Sequence, residues 1–221
     1  MDSIIQNIAI WALPVIFAIT LHEAAHGYVA KYFGDMTAYA QGRVSLNPLR
    51  HIDPMGTVVI PLVLFVVSKL FGGAGILFGW AKPVPVNFAS LHHPKHDMLW
   101  VAVAGPAANF LMALLWAILI RVGQAMPDSQ WSEPMTLMGD AGIQINVILM
   151  VLNLLPLPPL DGGRMVISLL PYAAAVRFAR IERYGFMILL FLLFSGVLGI
   201  IIGPAITMVV RLVAWFTGFG A

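Results

Sequence analysis

The sequence predicts an all-α polytopic membrane protein: about five to six hydrophobic segments, with a small re-entrant β or loop element near a candidate active site. Three observations lead there. Of the 221 residues, 60% are hydrophobic and only 10% are charged, whereas soluble domains average about 45–50% apolar and roughly 25% charged. Mean hydropathy is +0.91. The apolar residues also fall in runs matching the about 20 residues that a helical span requires. These runs use up the chain. The expectation is one membrane-embedded domain over 1–221, with its core at about 4–170 and further membrane segments at about 184–219. A net charge of +2 gives no reason to expect a nucleic-acid partner. With no cysteine, disulfides, thiolate metal sites and cysteine nucleophiles are excluded. The start, "MDSIIQNIAI", lacks the basic n-region of a cleavable signal peptide.

The first span runs from about Ile4 to Val29, with Pro14 expected to kink it. "KYFGDMTAYAQGRVSLNPLRHID" follows, polar and rich in turn residues, and reads as short strands or loop. Pro54 to Gly73 is apolar but short. "AGILFGWAKPVPVNF" is expected to be extended, because Pro83 and Pro85 forbid a regular helix. Met98 to Ile120 is a clear span. After an acidic loop with Asp128, Glu133 and Asp140, "AGIQINVILMVLNLLPLPPLDGGRMV" is a span that should unwind at Pro156, Pro158 and Pro159. "LLPYAAAVRFARIERYG" is basic and amphipathic. Tyr184 to Phe219 is too long for one plain span, and a break is expected at Gly203-Pro204.

Lysine and arginine placement sets the expected orientation. Lys31, Arg43 and Arg50 follow the first span, and Arg164, Arg177, Arg180 and Arg183 follow the span that ends near Asp161. Those ends face inward and the N-terminus faces out. Loop 79–97 carries Lys82 and Lys95 and is also internal by this rule. Segment 54–78 must then dip in and return, or cross twice. Such backbone is tolerated at membrane depth only when it is buried in protein or lines a wet cavity.

The chemistry begins at "ITLHEAAHGYVA", residues 19–30. Intramembrane ionisable residues are rare, costly and usually functional. His22-Glu23-Ala24-Ala25-His26 fits H-E-x-x-H. Residues four apart share a helix face, so both imidazoles can reach one ion while Glu23 stands beside them as a base for water. Zinc suits imidazole and carboxylate donors, and a catalytic site takes three protein ligands with one position open. The third ligand is best sought at Asp161 in "NLLPLPPLDGG", beside two glycines that permit close backbone approach. Competing candidates are Asp53, His51 and the "HHPKHD" cluster of His92, His93, His96 and Asp97. An N-cap role is the plain alternative for Asp161, and bonding between helices is the plain alternative for the two histidines.

"HEAAHG", "AGPAANF" and "NLLPLPPLDGG", in that order and each on an apolar segment, together resemble the site-2 protease family of intramembrane zinc metalloproteases. "GRVSLNPLRHIDPMG" and "GWAKPVPVNF" resemble its compact prokaryotic subgroup, without PDZ or CBS domain. The resemblance implies His22, His26 and Asp161 as zinc ligands and Glu23 as the catalytic glutamate. It also implies Asn109 and Asn153 near the substrate, with helix–helix hydrogen bonding as their alternative role. The implied substrate is a transmembrane segment of another protein within the lipid bilayer. The implied location is the prokaryotic inner membrane, with a site open to the cytoplasm. "GRVSLNP" and "GILFGWAKPVPVN" are the expected edges on which an unwound substrate would pair. The rival reading is a membrane zinc-binding transporter, which gives no reason for a glutamate between the histidines. Oligomeric state is not legible in the sequence.

Overall fold

In the computed structural model the apolar run that opens the chain forms one helix, α1 (Asp2–Tyr32), which continues through Pro14. The structure describes residues 2–60, 63, 66, 67, 70 and 81–218, with the side chains of 2–5, 7, 57 and 58 excepted. After α1 come a short α2 (Thr37–Ala40), a 3₁₀ turn at Pro48–Arg50, a π-helical turn at Pro54–Val59 and a 3₁₀ turn at Phe88–Ser90. The long α3 (Pro94–Gln124) and α4 (Ser132–Asn153) follow. Shorter α5 (Asp161–Leu169), α6 (Tyr172–Ala179) and α7 (Glu182–Phe194) lead into α8 (Val197–Thr217). Four of these, α1, α3, α4 and α8, are long and apolar enough to cross a membrane.

The bundle is organised around α3 and α4, the most extensively paired helices, with α1 packed on both. Trp116, Ala117 and Ile120 of α3 share a face by their spacing and meet Ile143, Val147 and Val151 of α4, with Val209 and Val213 of α8 closing the cluster. Their neighbours Leu111, Leu115 and Ile118 point outward and are exposed, the surface that lipid would cover. Close approach of α3 and α4 depends on small residues, as is usual between membrane helices. A Cβ on Gly142 would overlap the Trp116 ring, and one on Gly139 would meet the Trp116 carbonyl at 2.9 Å.

The expected unwinding at the prolines is present: α4 stops at Asn153, and α5 starts at Asp161 after an irregular turn. Two other expectations are corrected. The C-terminal break lies at Ser195-Gly196, not at Gly203-Pro204, because Gly196 adopts φ +75° and ends α7 in the left-handed conformation. Helix α8 continues through Pro204. Among the described residues no strand forms in "GRVSLNP" or in 81–87. With Pro83 and Pro85 lacking N–H groups, 81–87 forms no ladder, and the N–H groups of Lys82, Val84 and Asn87 bond to fixed points instead. The re-entrant course expected for 54–78, and residues 75–80 of the second edge, lie largely outside the described residues. The two ends of that connection do meet: the His92 N–H donates to the Phe33 carbonyl at 3.0 Å. The chain therefore leaves the end of α1 and returns to it before α3 begins.

Candidate metal centre

His22 and His26 lie on α1, where the four-residue spacing stacks their rings edge to face with centroids 4.7 Å apart. Both are buried. His22 sits about 15 Å from the end of the helix, at 1.5 Å per residue. Asp161 reaches the same point from the first turn of α5, also buried, and makes no cap bond there. Its two following glycines explain how it gets so close. A Cβ on Gly162 would strike the Leu154 and Leu155 carbonyls, and one on Gly163 would strike the Pro158 backbone, so α5 can press against the turn that precedes it only with glycine at both positions.

The donor atoms form a tight triangle. Nε2 of His22 and Nε2 of His26 are 3.1 Å apart. Asp161 Oδ2 stands 3.2 Å from the first and 3.3 Å from the second. Ligands about 2.0–2.2 Å from a tetrahedral zinc are roughly 3.3–3.5 Å from each other, so the triangle closely matches that polyhedron. Among the described residues, Asp161 Oδ2 is buried without a hydrogen-bond partner. A buried oxygen aimed at two imidazole nitrogens yet bonded to neither is what a shared cation would satisfy. Burial alone would raise the Asp161 carboxyl, but the facing His26 and His22 outweigh it and hold the group ionised, below the usual carboxylate range.

The far sides of both rings are also held. His26 Nδ1 donates to the Val101 carbonyl at 2.6 Å. His22 Nδ1 faces Asn109 Oδ1 at 2.5 Å. A proton on each Nδ1 leaves each Nε2 lone pair for a metal. Helix α3 comes this near because residue 105 has no side chain: a Cβ there would lie 2.6 Å from Cε1 of both His22 and His26. Gly105→Ala should therefore push the imidazoles apart and weaken metal affinity by about tenfold or more, measured by competition with a chromogenic chelator.

Glu23, half-buried one residue along, accepts a hydrogen bond through Oε2 from the Val84 N–H at 2.8 Å. The extended segment 81–87 thus lies against the histidine-bearing helix. Three of its N–H groups are anchored, and Arg43 Nη2 donates to its Lys82 carbonyl at 2.7 Å. The Lys82 N–H donates to the His51 carbonyl at 2.8 Å, the Val84 N–H to Glu23, and the Asn87 N–H to buried Asp35 at 2.6 Å.

The other candidates are placed elsewhere. Asp53 caps the turn at Pro54–Val59 through the Gly56 N–H. His51 is buried with Nε2 on the Ser45 carbonyl. His93 and His96 flank Asp97 at the start of α3, with largely exposed rings. Among the described residues, His22, His26 and Asp161 are the group whose donor atoms all lie within 4.8 Å of one another. Asn109 is fully buried, with both amide atoms hydrogen-bonded inside the protein. That geometry fits a residue that holds His22 rather than one that contacts substrate. Asn153 is half-buried and donates to the Leu149 carbonyl of its own helix.

A chain of membrane-length helices that gathers two imidazoles and a carboxylate around one buried point is built like an intramembrane metalloenzyme. The model of peptidase family M50 matches residues 120–196. "Putative zinc metalloprotease YwhC" of Bacillus subtilis (strain 168) is 38% identical over 183 residues, covering 81% of this chain and 78% of the relative. "Putative zinc metalloprotease Rip2" of Mycolicibacterium smegmatis is 30% identical over 206 residues, covering 92% and 71%. No solved structure matches. The chain belongs to peptidase family M50, the site-2 protease family of membrane zinc metalloproteases.

Proposed function

We propose that this protein is an H-E-x-x-H zinc endopeptidase that hydrolyses peptide bonds within or near transmembrane segments of other membrane proteins, and so takes part in regulated intramembrane proteolysis. The observation that carries the reading is the convergence of His22 Nε2, His26 Nε2 and Asp161 Oδ2. These three would hold zinc. When bound, the metal supplies a Lewis acid that polarises a scissile carbonyl and makes water more acidic.

The chain's own residues do the rest. Glu23 is anchored at one carboxylate oxygen by the Val84 N–H. Its other oxygen, without a hydrogen-bond partner among the described residues, is left to take a proton from water and pass it to the leaving amine. Apolar burial of the histidines and Asp161 excludes bulk water, which strengthens each of these interactions. A substrate helix must unwind before its peptide bond is exposed. Segment 81–87 supports a place for the unwound piece: it is extended beside Glu23, and the N–H and C=O of Val86 have no partner among the described residues. Asn153, at the end of α4, is the remaining candidate for substrate contact. The positive residues at the inner ends of the spans support a site reached by water from the cytoplasm of a prokaryotic cell.

The test uses the purified full chain in detergent or liposomes with a panel of single-pass membrane substrates. Cleavage inside or next to the span, lost on chelation and restored by zinc, is the expected result. Zinc-dependent movement of ions across liposomes with no cleavage of any substrate would favour the transporter reading instead.

A further inference from the structure

We infer that Asn146 is a positioning residue for the metal site: through Asn109 it fixes which nitrogen of His22 carries the proton. This rests on the reading of His22, His26 and Asp161 as a zinc site.

Asn146 lies on α4, fully buried, and its hydrogen bonds go to Gly142 and Asn109. Its Nδ2 donates to the Gly142 carbonyl at 2.8 Å. A carbonyl only accepts, so the amide nitrogen must face it. Asn146 Oδ1 is thereby turned toward Asn109, whose Nδ2 donates to it at 2.9 Å. The same Nδ2 has a second, longer bond to the Ala18 carbonyl at 3.2 Å. Asn109 must then present Oδ1 to His22 Nδ1. An oxygen there demands a proton on Nδ1, and only that tautomer leaves Nε2 bare for a metal. Polarity is set on one helix, transferred across a second and used on a third.

The two histidines differ in how they are secured. His26 faces a backbone carbonyl, that of Val101, which can never become a donor. His22 faces a side-chain amide, which becomes a donor if it flips by half a turn. A flipped Asn109 would put its NH₂ group on His22 Nδ1, move the ring proton to Nε2 and block ligation. Asn146 supplies the shorter of the two bonds that oppose this flip.

The experiment compares Asn146→Asp with Asn146→Leu in the full-length protein. Zinc affinity is read by chelator competition and ring tautomers by NMR of ¹⁵N-histidine-labelled protein. Asp keeps an oxygen toward Asn109 and Leu does not. The expected order is wild type, then N146D, then N146L, with N146L weakened about 10–100-fold and its His22 partly in the Nε2–H form. A residue that mattered only for packing would give the reverse order, because a buried acid disturbs an apolar bundle more than leucine does. N146L binding as tightly as wild type overturns the relay. So does a metal-free wild type whose His22 carries no proton on Nδ1, a result that needs no variant to fold. A wild-type chain that takes up no zinc at all overturns the metal reading instead.

Discussion

Glu23→Gln should yield a protein that holds zinc as the wild type does and cleaves nothing measurable. Gln has nearly the shape of Glu and is well tolerated in a helix. Its carbonyl oxygen can still accept the Val84 N–H that Glu23 accepts at 2.8 Å. The three donor atoms are untouched. What disappears is the proton acceptor, and general acid–base groups contribute about 10²–10⁴-fold. Parallel measurement of zinc content and cleavage rate decides the matter. A variant that keeps zinc and cleaves within about tenfold of wild type would remove Glu23 from the chemistry, because that loss lies below the usual acid–base contribution.

Asp161→Ala should have the opposite signature, with zinc lost first and activity lost in consequence. Only two imidazoles would remain, short of the three protein ligands a catalytic zinc site uses. The loss should exceed the about 10–100-fold that outer partners of metal ligands are worth. Some stability should go with the carboxylate, because in the metal-free chain Asp161 Oδ2 faces both imidazoles at 3.2 and 3.3 Å and that attraction favours the folded state. Failed zinc retention on gel filtration by a chain that still unfolds cooperatively, at a temperature somewhat below that of metal-free wild type, is the expected pair of results. If Asp161→Ala kept zinc at wild-type affinity, the third ligand would have to be sought elsewhere.

What the sequence displays depends on how local each feature is. His22, Glu23 and His26 are legible because one helical turn decides their geometry. Asp161 is legible at one remove: its companions Pro156, Pro158, Pro159, Gly162 and Gly163 mark a helix that must break and a backbone that must be approached. The roles of Gly105 and Asn146 are invisible by comparison. Each depends on the register between helices far apart in sequence, and nothing in the spacing of "AGPAANF" or "QINVILM" states which neighbour will face them. For Asn109 the resemblance implies a place near the substrate, while a polar residue in an apolar run does not by itself state which partner it takes. The prolines at 83 and 85 explain why 81–87 forms no regular element, yet the partners holding it are a carbonyl from His51 and the side chains of Glu23, Asp35 and Arg43, which their spacing does not state. The misplaced C-terminal break has a similar cause. Proline lacks one N–H but is tolerated in membrane helices, whereas a glycine at φ +75° ends a helix outright.

The ligands come from two distant places in the chain, His22 and His26 near its beginning and Asp161 well past its middle. During synthesis the histidine-bearing helix is made long before the carboxylate exists. A half-made chain therefore offers two imidazoles and a glutamate but no complete trio. The trio closes only when α5 has been made and packed against α3, which brings Asp161 to His22 and His26.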